Sequence, residues 1–197
     1  MNNLPAAVRS GIEQRAAVYQ LLARLWENEV DEEFRTQLCS EPMCGVLIEC
    51  DARLPVESID QLAIDYCQLF VGPKDQLLPI QSIWIDGQHE SDAAASMRTF
   101  IDLVPAWSDR PVTIPDHLGV QLDLQSAFLQ SQLKANTIDL PECQAIVRQF
   151  QLLHLSWPFS LFDAAEAKAD TDFYRGIVRL TRDFLKNEQE LFAERPK

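Results

Sequence analysis

Val8-Arg-Ser-Gly-Ile-Glu-Gln-Arg-Ala-Ala-Val-Tyr-Gln-Leu-Leu-Ala-Arg-Leu-Trp26 is the stretch on which the fold class turns. Within it Val8, Ile12, Ala16, Tyr19, Ala23 and Trp26 recur at steps of three and four, and Leu22 and Leu25 widen the stripe. Residues so spaced share one face of a helix, so the segment predicts a single long amphipathic α-helix.

The same period returns downstream. Asp31 can cap a short helix carrying Phe34 and Leu38, and Pro42 can open another with Val46, Leu47 and Cys50. From Ser58, the residues Ile59, Leu62, Tyr66, Leu69 and Phe70 hold the period until Gly72-Pro73, where glycine permits a left-handed cap and a helix should end near Val71. Met97, Phe100, Ile101 and Val104 mark a helix begun near Ser91 or Asp92, followed by a proline-bounded link over 105–111. Thr113-Ile-Pro-Asp116 reads as a capping-box-like start to a helix carrying Leu118, Leu122, Leu129 and Leu133. Pro141 opens a helix with Ile146, Val147, Phe150, Leu153, His154 and Trp157, which Pro158 interrupts before a brief continuation over 159–167. Phe173, Ile177, Leu180, Phe184 and Leu191 define a last helix.

Composition points the same way. Six glycines among 197 residues are few, and Leu, Ala, Gln and Glu are good helix formers, so an all-α fold is expected. With 47% hydrophobic content the chain can bury one sizeable core, and one domain over 1–197 is the expectation.

Several classes are excluded. The segment Met1–Gln14 holds Arg9 and Glu13 and so lacks a secretory apolar region, and no apolar run reaches the ~18 residues of a membrane span. Cys39, Cys44, Cys50, Cys67 and Cys143 follow no CxxC pattern and read as reduced, buried thiols of a cytoplasmic protein. The formal charge of -13 repels nucleic acid and anionic lipid, so a charged partner should be basic, unless the surplus serves solubility alone.

Reactive groupings are scarce. His89, His117 and His154 lie far apart with no Glu-x-x-His or His-x-x-x-His spacing, so no metal is expected. No glycine-rich phosphate loop and no GxSxG elbow occurs, and neither a cofactor nor a catalytic residue is predicted. Asp116-His117 admits three readings: a charge complementing a helix dipole, a ligand-facing polar pair, or an acid–base catalyst without companions. His154, on the stripe of Phe150 and Trp157, reads as a hydrogen-bonded packing residue. The segment 72–91, with Gly72, Pro73, Pro79 and Gly87 around the apolar run 80–85, looks too broken for a helix. It is either a connector pinned by Trp84 or a functional loop.

Five motifs taken together carry a resemblance: Tyr66-Cys-Gln-Leu-Phe-Val-Gly-Pro73, Pro79-Ile-Gln-Ser-Ile-Trp84, Pro115-Asp-His-Leu-Gly119, His154-Leu-Ser-Trp157 and Asp172-Phe-Tyr174. In order and spacing they resemble the TorD/DmsD family of redox-enzyme maturation chaperones, over nearly the whole chain and closest to the DmsD branch. The resemblance implies a single TorD-like helical domain of about 8–11 helices. It also implies a cytoplasmic chaperone for the twin-arginine leader, and sometimes the folded body, of a molybdopterin-containing DMSO- or TMAO-type reductase, delaying export until cofactor is loaded. The leader-binding positions it implies are Tyr66, Leu69, Phe70, Gly72, Pro73, Pro79, Ser82, Trp84, Asp116 and His117. Tyr66 stands where DmsD-type chains tend to carry tryptophan, and Ile80-Gln81 replaces a Trp-Gly pair. Relatives occur as monomers and as domain-exchanged dimers.

A twin-arginine leader offers two guanidinium groups and an apolar stretch, so its receptor needs carboxylates beside a hydrophobic groove. Asp116 is expected to pair the arginines, while Leu69, Phe70, Ile80 and Trp84 receive the apolar part. A helical adaptor for another client, or a nucleotide hydrolase using Asp116 and His117, are the competing readings.

Overall fold

The apolar stripes fold into helices in the computed structural model, which describes residues 4–41, 43–49, 52–107 and 111–193. In chain order these are α1 (Ala6–Glu27), α2 (Glu32–Leu38), α3 (Met43–Glu49), α4 (Ile59–Tyr66), α5 (Gln81–Asp86), α6 (Asp92–Ile101), α7 (Leu118–Lys134), α8 (Leu140–His154), α9 (Phe159–Lys168) and α10 (Asp172–Ala193). The described residues are 71% helical and contain no strand. The expected roles of Pro42 and Cys50, and the side chain of Val46, lie outside the described residues.

The helices gather into two compact units, each assembled from two stretches of chain: Met1–Glu27 with Ile80–Trp157, and Asn28–Pro79 with Pro158–Lys197. In the first unit α1 lies along α7. Gly119 permits this approach, because a Cβ there would sit 3.1 Å from the Ala23 carbonyl oxygen and 3.2 Å from the Glu27 nitrogen. The Ser126 hydroxyl donates to the Ala16 carbonyl at 2.8 Å and fixes the register of the pair. Phe100, Phe128 and Phe150, from α6, α7 and α8, stack edge to face with centroids 5.2–6.1 Å apart.

In the second unit Tyr66, Phe70, Phe173 and Tyr174 interlock with centroids 5.3–5.9 Å apart. The α4 rod begins with a complete capping box, Ser58 with Gln61, and passes into a π-turn over Cys67–Val71. Asp65, 2% exposed, ties α4 to the start of α10. Its carboxylate accepts the backbone N–H of Asp170 at 3.1 Å, the N–H of Thr171 at 2.8 Å and the Thr171 hydroxyl at 2.5 Å.

Four expectations need correction. The segment 72–91 does contain a helix, α5, which starts after Ile80 and ends at Gly87 in the left-handed region (φ 68°). Gly72 has φ -59° and ψ 163°, so the helix before it ends without a left-handed cap, through a Gly72 N–H bond to the Cys67 carbonyl at 2.6 Å. Asp116 does not cap the helix that follows it; His117 does. Cys39 and Cys67 are exposed and Cys44 and Cys143 half-buried, because they fall off the apolar stripes of their segments.

Candidate functional site

The polar residues that converge in the first unit do so around the start of α5, whose first N–H groups have no partner within the helix. Ile80 precedes it in extended conformation, provides no side-chain cap, and pairs with His117 in an isolated antiparallel bridge. That pairing sets Asp116 over the open N-terminus of α5. Its carbonyl accepts the Gln81 N–H at 3.0 Å, and its Oδ2 accepts the Ser82 N–H at 2.8 Å and the Ser82 hydroxyl. Asp116 is therefore the N-cap of α5 supplied from another part of the chain, where positive helix ends attract carboxylates. The Ser82 oxygen in turn accepts the N–H and hydroxyl of Ser91, which caps α6.

Beneath this latch runs a buried network. Gln81 Nε2 donates to the Leu153 carbonyl at 2.9 Å, and Gln81 Oε1 accepts Gln121 Nε2 at 2.7 Å. That oxygen also lies 3.0 Å from His154 Nδ1, whose ring places Nε2 3.0 Å from the Ser96 hydroxyl. An acceptor at Nδ1 and a hydroxyl at Nε2 select the neutral tautomer with its proton on Nδ1. The packing role read for His154 is what the geometry provides. His117 turns its Nδ1 to the Gly119 N–H at 3.1 Å and caps α7.

Burial lowers both imidazoles to about 4 from the usual 6.5, against the opposing pull of Asp116. Between those values the unfolded chain binds more protons, so this contribution to stability is complete above pH 6.5 and is lost as pH falls through 4. For His154 the loss should reach roughly 2–3 kcal/mol by pH 4.5. Urea titrations at pH 7.5 and 4.5 should show the midpoint falling, with a smaller fall in His154→Gln; a pH-independent midpoint would contradict the assignment.

Beside the latch, Ile80, His89, Glu90, Ile114, Pro115 and Asp116 line a cavity of about 230 Å³. Glu90 stands at φ 57°, a left-handed conformation that few side chains adopt without external support. Its carboxylate meets Arg98 at 3.2 Å. Among the described residues no group of three or more His, Cys, Asp or Glu side chains could hold a metal ion.

The predicted leader-binding residues fall into two sets. Ser82, Trp84, Asp116 and His117 belong to the first unit, where Ser82 and Asp116 are bonded and His117 adjoins them. Tyr66, Leu69, Phe70, Gly72, Pro73 and Pro79 belong to the second. Leu69 and Phe70, expected to receive an apolar peptide, are 0% and 6% exposed and sit in the core. Pro73 is exposed and Trp84 half-buried. Sequence reasoning missed His89, Glu90 and Ile114; the only local signal was a His-Glu pair two residues after Gly87.

The nitrate reductase delta subunit family model matches residues 26–163. A curated relative, "Chaperone protein YcdY" of Escherichia coli (strain K12), is 31% identical over 123 residues, which cover 62% of this chain and 60% of the relative. The match thus spans under two thirds of that relative's length. No solved structure matches. The family match covers both the Tyr66–Pro73 and the Pro115–Gly119 motifs and more than half of the chain, which therefore belongs to the nitrate reductase delta subunit family, the TorD-like family its motifs resemble.

Proposed function

We propose that residues 1–197 act as one chaperone domain in molybdoenzyme maturation, of the DmsD kind, which holds the twin-arginine leader of a DMSO- or TMAO-type reductase in the cytoplasm. The observation that carries this reading is the recess at the α5 start, where the Asp116 and Glu90 carboxylates lie among Ile80, Ile114 and Pro115. Guanidinium groups form charge-assisted hydrogen bonds to such carboxylates, and the aliphatic walls suit an arginine stem and the apolar residues after it. Asp116 offers the recess a carboxylate already oriented by Ser82, and the Glu90 side chain stands at the mouth. Tyr66, Leu69, Phe70 and Gly72 are buried in the second unit and support it from within.

Calorimetry with a synthetic twin-arginine leader tests the reading. Glu90→Gln should weaken binding about tenfold, the worth of one charge-assisted contact of roughly 1.4 kcal/mol, and rising salt should weaken the wild type further. Affinity unchanged by both would remove the recess from leader recognition.

A further inference from the structure

A second cavity, of about 440 Å³, opens within the unit formed by Asn28–Pro79 and Pro158–Lys197, and three arginines line it. Arg53 comes from the stretch before α4, while Arg175 and Arg179 stand one turn apart on α10. Asp172 joins the first two: its Oδ2 accepts Arg53 Nη1 at 2.6 Å and its Oδ1 accepts Arg175 Nη1 at 2.7 Å. Glu166, outside the lining, accepts the Nε–H of Arg179.

One carboxylate therefore gathers two guanidinium groups, and a third stands a helical turn away. With Asp183 the described lining carries three positive and two negative side chains, in a protein whose formal charge is -13. Arg175 also has a structural role, its Nη2 donating to the Ala169 carbonyl at 2.6 Å, but stability does not account for the presence of Arg53. The Arg53 and Asp172 side chains are 71% and 51% exposed, and exposed ion pairs contribute about 0–1 kcal/mol. What the arrangement provides is a set of planar forks, whose geometry matches the oxygens of a phosphate. The volume falls in the ~300–1,000 Å³ range of small-molecule sites, and Ile48 and Leu180 give it an apolar wall.

We propose that this cavity binds a small phosphorylated molecule, its phosphate or diphosphate group held between Arg53, Arg175 and Arg179. The site is independent of the recess at Asp116. Calorimetry of the full chain with sodium diphosphate should give saturable one-to-one binding. The double variant Arg53→Gln/Arg179→Gln should bind at least tenfold more weakly while keeping its thermal midpoint and its affinity for the leader peptide. Arg53→Lys, which keeps the charge and loses the fork, should lie between the two. Absence of saturable heat, equal affinity in the double variant, tighter binding of an oligoglutamate peptide than of diphosphate, or loss of leader binding together with diphosphate binding would each overturn the proposal.

Discussion

Asp116→Ala should destabilise the protein by roughly 3–5 kcal/mol, a large share of the ~5–15 kcal/mol that holds a domain together. The carboxylate is 2% exposed and receives both the N–H and the hydroxyl of Ser82, itself 0% exposed. Removing it leaves two buried donors without that acceptor and opens the start of α5, which has no side-chain cap of its own. The loss should spread, because Ser82 also accepts the bonds from Ser91 that fix α6. Asp116→Asn keeps a carbonyl oxygen and should recover more than half of the loss. Urea unfolding followed by circular dichroism measures both variants, and a change below about 1 kcal/mol for alanine would show that the latch is not structural.

The second unit contains a counterpart at Asp65, and Asp65→Ala should cost about 3–5 kcal/mol by the same reasoning. Its carboxylate accepts two backbone N–H groups and a hydroxyl where the chain turns from α9 into α10. The Thr171 oxygen so oriented then accepts the Tyr174 N–H at 3.2 Å, in the first turn of α10. Losing Asp65 would therefore unseat Thr171 and loosen the Tyr66–Tyr174 contact of 5.9 Å. Hydrogen exchange should accelerate at residues 170–175 in this variant, and protection there at wild-type levels would contradict the account.

Much of the fold was legible because helical periodicity is local. The stripes beginning at Val8, Ser58, Ser91, Pro141 and Phe173 each became a helix within a few residues of the expected bounds. The α5 helix was not legible, since its six residues carry no cap and the group that satisfies its start lies 34 positions away. For the same reason Asp116 read as the opening of α7, although its bonds go to Ser82. Asp65 gave no signal either: a lone aspartate on a helix is ordinarily solvated, and only the return of residues 170–171 buries it. The cysteines misled through a statistical habit of burial that says nothing about which helix face a particular residue occupies. At the candidate site the Asp116-His117 pair was visible as a motif, whereas the recess beside it depends on Ile80, Glu90 and Ile114 arriving from three segments.

The pairing of α1 with α7 has a consequence for synthesis. Residues 28–117 separate the two helices, so 90 residues must be translated before α7 begins to leave the ribosome. At ordinary elongation speeds of about 5–20 residues per second, that interval lasts roughly 5–20 s. Throughout it the nascent polypeptide displays Leu22, Leu25 and Trp26, side chains no more than 1% exposed once folding is complete. The window in which this protein is most prone to stick to its neighbours is thus set by connectivity.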